Sequence, residues 1–205
     1  MHQTRKASPI RLPIQKKGTK YVARASSDIE NSVPLVIAIR DILKLAKTTK
    51  EVKKMINAGL LKINGRKPTD FHEAIKLFSI LEADKTYRLT ILPTKKFNFE
   101  ETKEKNKLCK VTGKSIQRKG KIQFHLHDGS NILSTQNIAI GDSLVIDSNG
   151  KIKSHIPLAK NSEVFIFKGR YTGLKARIEH IENKKVKIKV NDISTIIPES
   201  GVIAL

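Results

Sequence analysis

Residues 34–68 read PLVIAIRDILKLAKTTKEVKKMINAGLLKINGRKP, and this stretch decides the fold. Leu35, Val36, Ile37, Ala38, Ile39, Ile42, Leu43 and Leu45 form a broad apolar stripe at helical spacing, with Arg40, Asp41 and Lys44 on what remains of the wheel. Pro34 stands where a helix tolerates proline, in its first turn. Thr48-Thr49-Lys50-Glu51 is a capping box that opens a second helix. That helix turns Val52, Met55 and Ile56 inward and Lys50, Lys53 and Lys54 outward. Gly59 follows where a left-handed C-terminal cap is needed. Leu60 to Ile63 then read as a strand, and Asn64-Gly65 as a tight turn followed by Arg66 and Lys67. Two short helices leading into a strand make a platform suited to RNA. The amides and dipole at the start of the second helix face a phosphate, and Lys50, Lys53, Lys54, Arg66 and Lys67 surround that spot with charge. The bland alternative is an ordinary solvated lysine face.

The whole chain has 205 residues, with 40 Lys plus Arg against 19 Asp plus Glu and a formal net charge of +21. Mixed-sign surfaces normally stay within a few charges of neutrality, so a polyanionic partner is implied. No stretch approaches the roughly 20 apolar residues of a membrane span, and the N-terminus lacks the apolar core of a secretory signal. A membrane-surface binder would need a basic amphipathic helix with large apolar anchors, which the sequence does not offer. The single cysteine, Cys109, forbids an internal disulfide, which fits a reducing, cytoplasmic setting.

Working outward, residues 1–29 read as a basic arm. Arg5, Lys6, Arg11, Lys16, Lys17, Lys20 and Arg24 precede the first acid, Asp28, and Pro9, Pro13 and Gly18 interrupt any periodicity. The expectation is an extended segment that orders against phosphates, the alternative a merely flexible, soluble terminus. Residues 30–92 hold the helical pair and strands around Leu77–Leu81 and Tyr87–Leu92. Residues 93–160 read as a central, mostly antiparallel β domain. Within it, 95–121 is ambiguous, with Leu108 and Val111 as inward candidates, while 122–126 alternates and Asp128-Gly129 and Asn149-Gly150 mark hairpins. His125 and His127, two apart on a strand, lack the further ligands a metal site requires, so no metal is expected. Residues 161–205 read as four strands, at Val164–Phe167, Leu174–Ile181, around Val186–Val190 and at Ile193–Ile197, punctuated by the loop Lys168-Gly169-Arg170-Tyr171-Thr172-Gly173 and by Asn183-Lys184. Lys168, Arg170 and Lys175 can grip a phosphate backbone there while Tyr171 stacks on a base. Otherwise the loop is a plain glycine turn with incidental charge. Gly173 is read as structural, because a tight loop between strands demands positive φ or close backbone approach.

The run VPLVIAIRDIL and TTKEVKKMINAGLLKINGRKPTD resembles the α-L RNA-binding motif, more closely its version in the archaeal and eukaryotic small-subunit ribosomal protein four family (S-four-e). KTYRL at 85–89, KNKLCKV at 105–111 and HLHDG at 125–129 resemble the same family in the same order. The C-terminal segment resembles a KOW motif, the signature of a small β-barrel, with Gly173 at its characteristic glycine. The fold class implied is α+β and multi-modular: an α-L module, a central antiparallel β domain and a KOW-type barrel. Eukaryotic members of that family continue beyond the position of Leu205. The resemblance implies a non-enzymatic structural constituent of the small ribosomal subunit, bound to small-subunit ribosomal RNA and neighbouring ribosomal proteins. The residues agree. No paired carboxylates, no GxxxxGK[ST] loop and no histidine near Cys109 suggest catalysis, so no cofactor and no small-molecule substrate are expected. Low aromatic content, 5% without tryptophan, speaks against a general single-strand reader. The rival reading is a free-standing translation or transcription factor carrying a KOW domain.

Overall fold

The apolar run around Pro34 is buried without interruption from Ser32 to Ile39, and the first half of the chain is assembled on it. The computed structural model describes residues 2–117, 120–190 and 193–205. Two units divide the chain, Met1–Lys105 and Asn106–Leu205. Every strand pairing among the described residues is antiparallel, and the chain is mostly β with few helices.

In the first unit, β1 (His2–Thr4) pairs with β2 (Tyr21–Ala23), and β3 (Ser32–Pro34) leads into α1 (Leu35–Ile37). The expected long first helix is one α turn that widens into a π turn over Ala38–Ile42, closed by a 2.9 Å bond from the Leu43 amide to the Ala38 carbonyl. Lys44, in the left-handed region at φ 57°, follows that turn. Pro34 sits one place earlier than expected, as the extended residue before α1 and the last of β3. α2 (Thr49–Asn57) forms as the sequence predicts. Thr48 Oγ1 accepts the Glu51 amide at 3.3 Å, and at the far end the Leu60 and Gly59 amides bond the Met55 and Ile56 carbonyls, with Gly59 at φ 73°. Next come β4 (Lys62–Ile63), β5 (Ala74–Lys76), which pairs with β3, then β6 (Ile80–Glu82), β7 (Thr86–Ile91) and β8 (Phe97–Glu101), the last three joined with β4 in the order β4-β6-β7-β8. Asn64 and Gly65, both at positive φ, turn the chain so that Ile63 and Arg66 exchange two backbone bonds.

The second unit carries two five-stranded sheets. β9 (Lys107–Ile116), β10 (Ile122–Leu126), β11 (Asn131–Ser134), β12 (Ser143–Ile146) and β13 (Ile152–Ile156) lie in the order β11-β10-β9-β12-β13. Cys109, Val111, Phe124, Leu126, Ile138, Leu144 and Ile146 form its core. The ambiguous stretch is thus mostly strand, with Arg118 and Lys119 outside the described residues, and its register differs from expectation: Cys109 and Val111 are buried while Leu108 is half-exposed. β14 (Glu163–Ile166), β15 (Lys175–Glu182), β16 (Lys185–Val190), β17 (Ile193–Pro198) and β18 (Val202–Ala204) lie in the order β17-β16-β15-β14-β18, with a 3-10 turn over Glu199–Gly201 before the last strand. The alternation of β16 puts Val186, Ile188 and Val190 in the core and Lys185, Lys187 and Lys189 in water. In β15 the inward residues step from Ile178 to Ile181, three apart, and the register shifts there to absorb the odd spacing. Each fully buried Val or Ile of this core contributes about 1.5–3 kcal/mol.

Candidate nucleic-acid interface

The helical period sets the most orderly group of cations. On α2, Val52 and Ile56 are buried and Met55 half-buried, which leaves Lys50, Lys53 and Lys54 exposed. Lys53 Nζ lies 4.6 Å from the centre of the Phe71 ring, a cation–π contact that tethers one lysine without neutralising it. The start of α2 is less open to a phosphate than its dipole suggests. The Glu51 carboxylate accepts from the Lys47 amide at 2.8 Å and from the Thr48 hydroxyl at 3.0 Å, which holds its pKa below the ordinary carboxylate range and places a negative charge on that turn. Arg66 and Lys67 leave the Asn64-Gly65 turn on the exposed side, but both have partners: Arg66 pairs with Glu73, and Lys67 Nζ bonds the Asn57 carbonyl at the end of α2 at 3.1 Å.

The basic N-terminal segment corrects the expectation of an extended arm. β1 and β2 close it into a loop, and the Arg5 guanidinium holds that loop together through the Thr19 carbonyl at 2.8 Å, the Gln15 carbonyl at 2.6 Å and Thr19 Oγ1 at 3.0 Å. Leu12 is buried, the Arg11 carbonyl accepts the Phe97 amide, and Arg11 itself reaches Asn31 Oδ1 at 2.9 Å. Arg5 and Arg11 are therefore spent largely on folding the segment, while Lys6, Lys16, Lys17 and Lys20 remain exposed. No local pattern signals this closure, since three-residue strands carry no periodicity.

In the second unit, Lys168, Arg170 and Lys175 are exposed around the loop between β14 and β15. Gly173, at φ 91°, donates its amide to the Ile166 carbonyl at 2.8 Å, and the Thr172 hydroxyl bonds the Gly169 carbonyl at 2.7 Å. Only a residue without a Cβ adopts that backbone freely. Lys168 and Arg170 lie over the neighbouring Phe167 and Tyr171 rings at 5.7 and 5.9 Å.

Two cations of β9 behave otherwise. Lys107 pairs with half-buried Asp128 at 2.6 Å, and Lys110 is itself buried, its ammonium donating to the Glu199 and Val202 carbonyls. Burial alone would raise the Asp128 pKa, but the Lys107 charge and hydrogen bonds from Lys107 and Ser130 outweigh it and bring it down to about 2. Burial pushes Lys110 down to about 8. The thiol of Cys109, buried beside Asp128, is pushed upward and is a poor nucleophile. His125 has Ser115 and Asn131 as partners, and His127 accepts the Lys110 amide at 3.1 Å.

Sequence reasoning also missed Arg40, Lys44 and Lys47. With Arg5 and Lys17 they line a cleft of about 910 Å³ between the N-terminal loop and the turn that joins α1 to α2. No local pattern reveals such a cleft, because its walls lie far apart in sequence.

Exposed lysines on a helix, a hairpin, a loop and the N-terminal segment, over a β-rich scaffold, make up a basic surface of the kind that attracts polyanions. Comparison with known proteins sharpens this class. Ribosomal family S4e matches residues 83–152. Small ribosomal subunit protein eS4 of Methanocella arvoryzae is 31% identical over 88% of this chain and 81% of its own length. The protein of the same description from Methanothermobacter thermautotrophicus is 32% identical over 98% of this chain and 84% of its own. The crystal structure of the 30S ribosomal protein S4e from Thermoplasma acidophilum shares the fold, with a TM-score of 0.73 at 23% identity, covering 86% of this chain and 95% of that one. The chain belongs to the ribosomal S4e family.

Proposed function

We propose that the chain is a structural constituent of the small ribosomal subunit, in the cytoplasm, and that it acts in translation by binding small-subunit ribosomal RNA. It is not an enzyme. Family membership carries this reading, and the placement of charge supports it: Lys6, Lys16, Lys17, Lys20, Lys50, Lys53, Lys54, Lys67, Lys168 and Lys175 are all exposed, as are Arg66 and Arg170. Cations presented on several separate surfaces release counterions from RNA segments that approach from different directions, and shape rather than base identity then sets specificity.

Four working parts follow: a basic segment over residues 1–29, an α-L RNA-binding module that runs on from the expected 30–92 to residue 105 because β8 pairs with β7, a central β domain over 106–160 in place of 93–160, and a KOW-type small barrel over 161–205. The succession α1, α2, β4 supports the second. The strand order β17-β16-β15-β14-β18, with one 3-10 turn before the last strand and Gly173 at positive φ in the loop, supports the fourth. Neighbouring ribosomal proteins are the natural partners of the faces that RNA leaves uncovered. Sedimentation of tagged chain with small subunits through a moderate salt wash tests the reading. A constituent stays with the particle, whereas a chain that washes into the supernatant is a free-standing factor and overturns it.

A further inference from the structure

The cleft beside α2 differs from the convex lysine faces in being concave, cationic and partly aromatic. Arg5, Lys17, Arg40, Lys44 and Lys47 line it, and Asp41 is its single carboxylate. Asp41 is already engaged, held by Arg40 through two 2.8 Å bonds, and Arg40 also reaches Thr49 Oγ1 at 3.2 Å. Arg5 is fixed by its loop carbonyls. The three lysines are exposed and enter none of the ion pairs formed among the described residues, so their charge is available to a ligand. The half-exposed Tyr21 ring stands on the wall, braced edge-on by His2 at 4.9 Å, and Val36 and Phe71 supply apolar lining.

A double helix presents its phosphates on a convex ridge with its bases stacked away, and it gains nothing from an aromatic wall inside a recess. An unpaired nucleotide uses both features, stacking on a ring while its phosphate meets ammonium groups. Resting on the RNA-binding reading above, we propose that this cleft captures an unpaired nucleotide of RNA, its base against Tyr21 and its phosphate against Lys17, Lys44 and Lys47. The volume, about 910 Å³, lies within the span of small-ligand pockets and leaves room for one nucleotide with part of its neighbour.

Fluorescence anisotropy with the full chain decides the matter, using a dye-labelled uridine hexamer and a labelled twelve-base-pair RNA duplex as probes. Tyr21→Ala is expected to weaken hexamer binding about tenfold, the loss of one base–aromatic stack, and duplex binding less than about twofold. Tyr21→Phe, which keeps the ring, should bind the hexamer as the parent does. Lys44→Gln with Lys47→Gln should reduce hexamer binding more than the equal charge change Lys151→Gln with Lys153→Gln. An unchanged melting temperature verifies that each variant is folded. Equal losses on both probes, or no loss on the hexamer, overturn the cleft without overturning RNA binding by the lysine faces. A parent chain that binds neither probe overturns the RNA-binding reading itself, and the cleft with it.

Discussion

Two lysine-rich elements of similar length use the same residue in opposite ways. On α2, TKEVKKMIN, a period of 3.6 collects Val52 and Ile56 on one side and sends Lys50, Lys53 and Lys54 to solvent. On β9, KLCKVTGKSI, the alternation that buries Cys109 and Val111 in one core turns Lys110 to the opposite face, where the turn before β18 covers it. Lys107 is likewise consumed, by Asp128. A lysine count therefore does not measure a binding surface. What matters is whether the strand or helix carrying it is covered on one side or on two.

The largest effect that would break this contrast lies in β9. Asp128→Ala leaves the half-buried Lys107 ammonium without its counter-charge and should cost about 3 kcal/mol in urea unfolding. In the parent, the depressed Asp128 pKa means that this stabilisation is present above the unfolded value of 3.8 and is lost as pH falls toward 2. Next comes Lys110. Its folded pKa near 8 lies below the unfolded 10.5, so the unfolded chain holds the extra proton between these values and stability rises with pH across that window. Lys110→Met should remove an alkaline rise of about 3 kcal/mol relative to the parent, as read from unfolding curves at several pH values. An α2 charge reversal should show the inverse behaviour. Lys53→Glu with Lys54→Glu should weaken ribosomal RNA binding about tenfold in filter assays, yet shift stability by no more than about 1 kcal/mol, the worth of the Lys53–Phe71 contact. The smallest effect is expected from the N-terminal loop. Lys16→Gln, Lys17→Gln and Lys20→Gln together should flatten the slope of log affinity against log salt by about two units.

The contrast also explains what could be read beforehand. α2 with its cap, the Asn64-Gly65 and Asn183-Lys184 turns and the inward face of β16 were legible, because each depends on a local period or on residues that tolerate positive φ. β9 was not. Its lysines at 107 and 110 break the expected polar alternation, and Leu108 drew attention away from Cys109-x-Val111, the pair that does lie inward. The N-terminal segment misled for a related reason: its charge suggested solvent, while Leu12 and the Arg5 guanidinium were folding it. The outward lysines were readable from pattern, but the cleft was not, since it exists only once residues 2–23 meet the turn before α2.

Lysine acetylation footprinting by mass spectrometry, comparing the free chain with the chain assembled into small subunits, puts the central claim to the most direct test. Lys50, Lys53, Lys54, Lys168 and Lys175 should react readily when free and become protected in the particle, while Lys107 and Lys110 stay unreactive in both. Full reactivity of the α2 and loop lysines inside the particle would contradict the account.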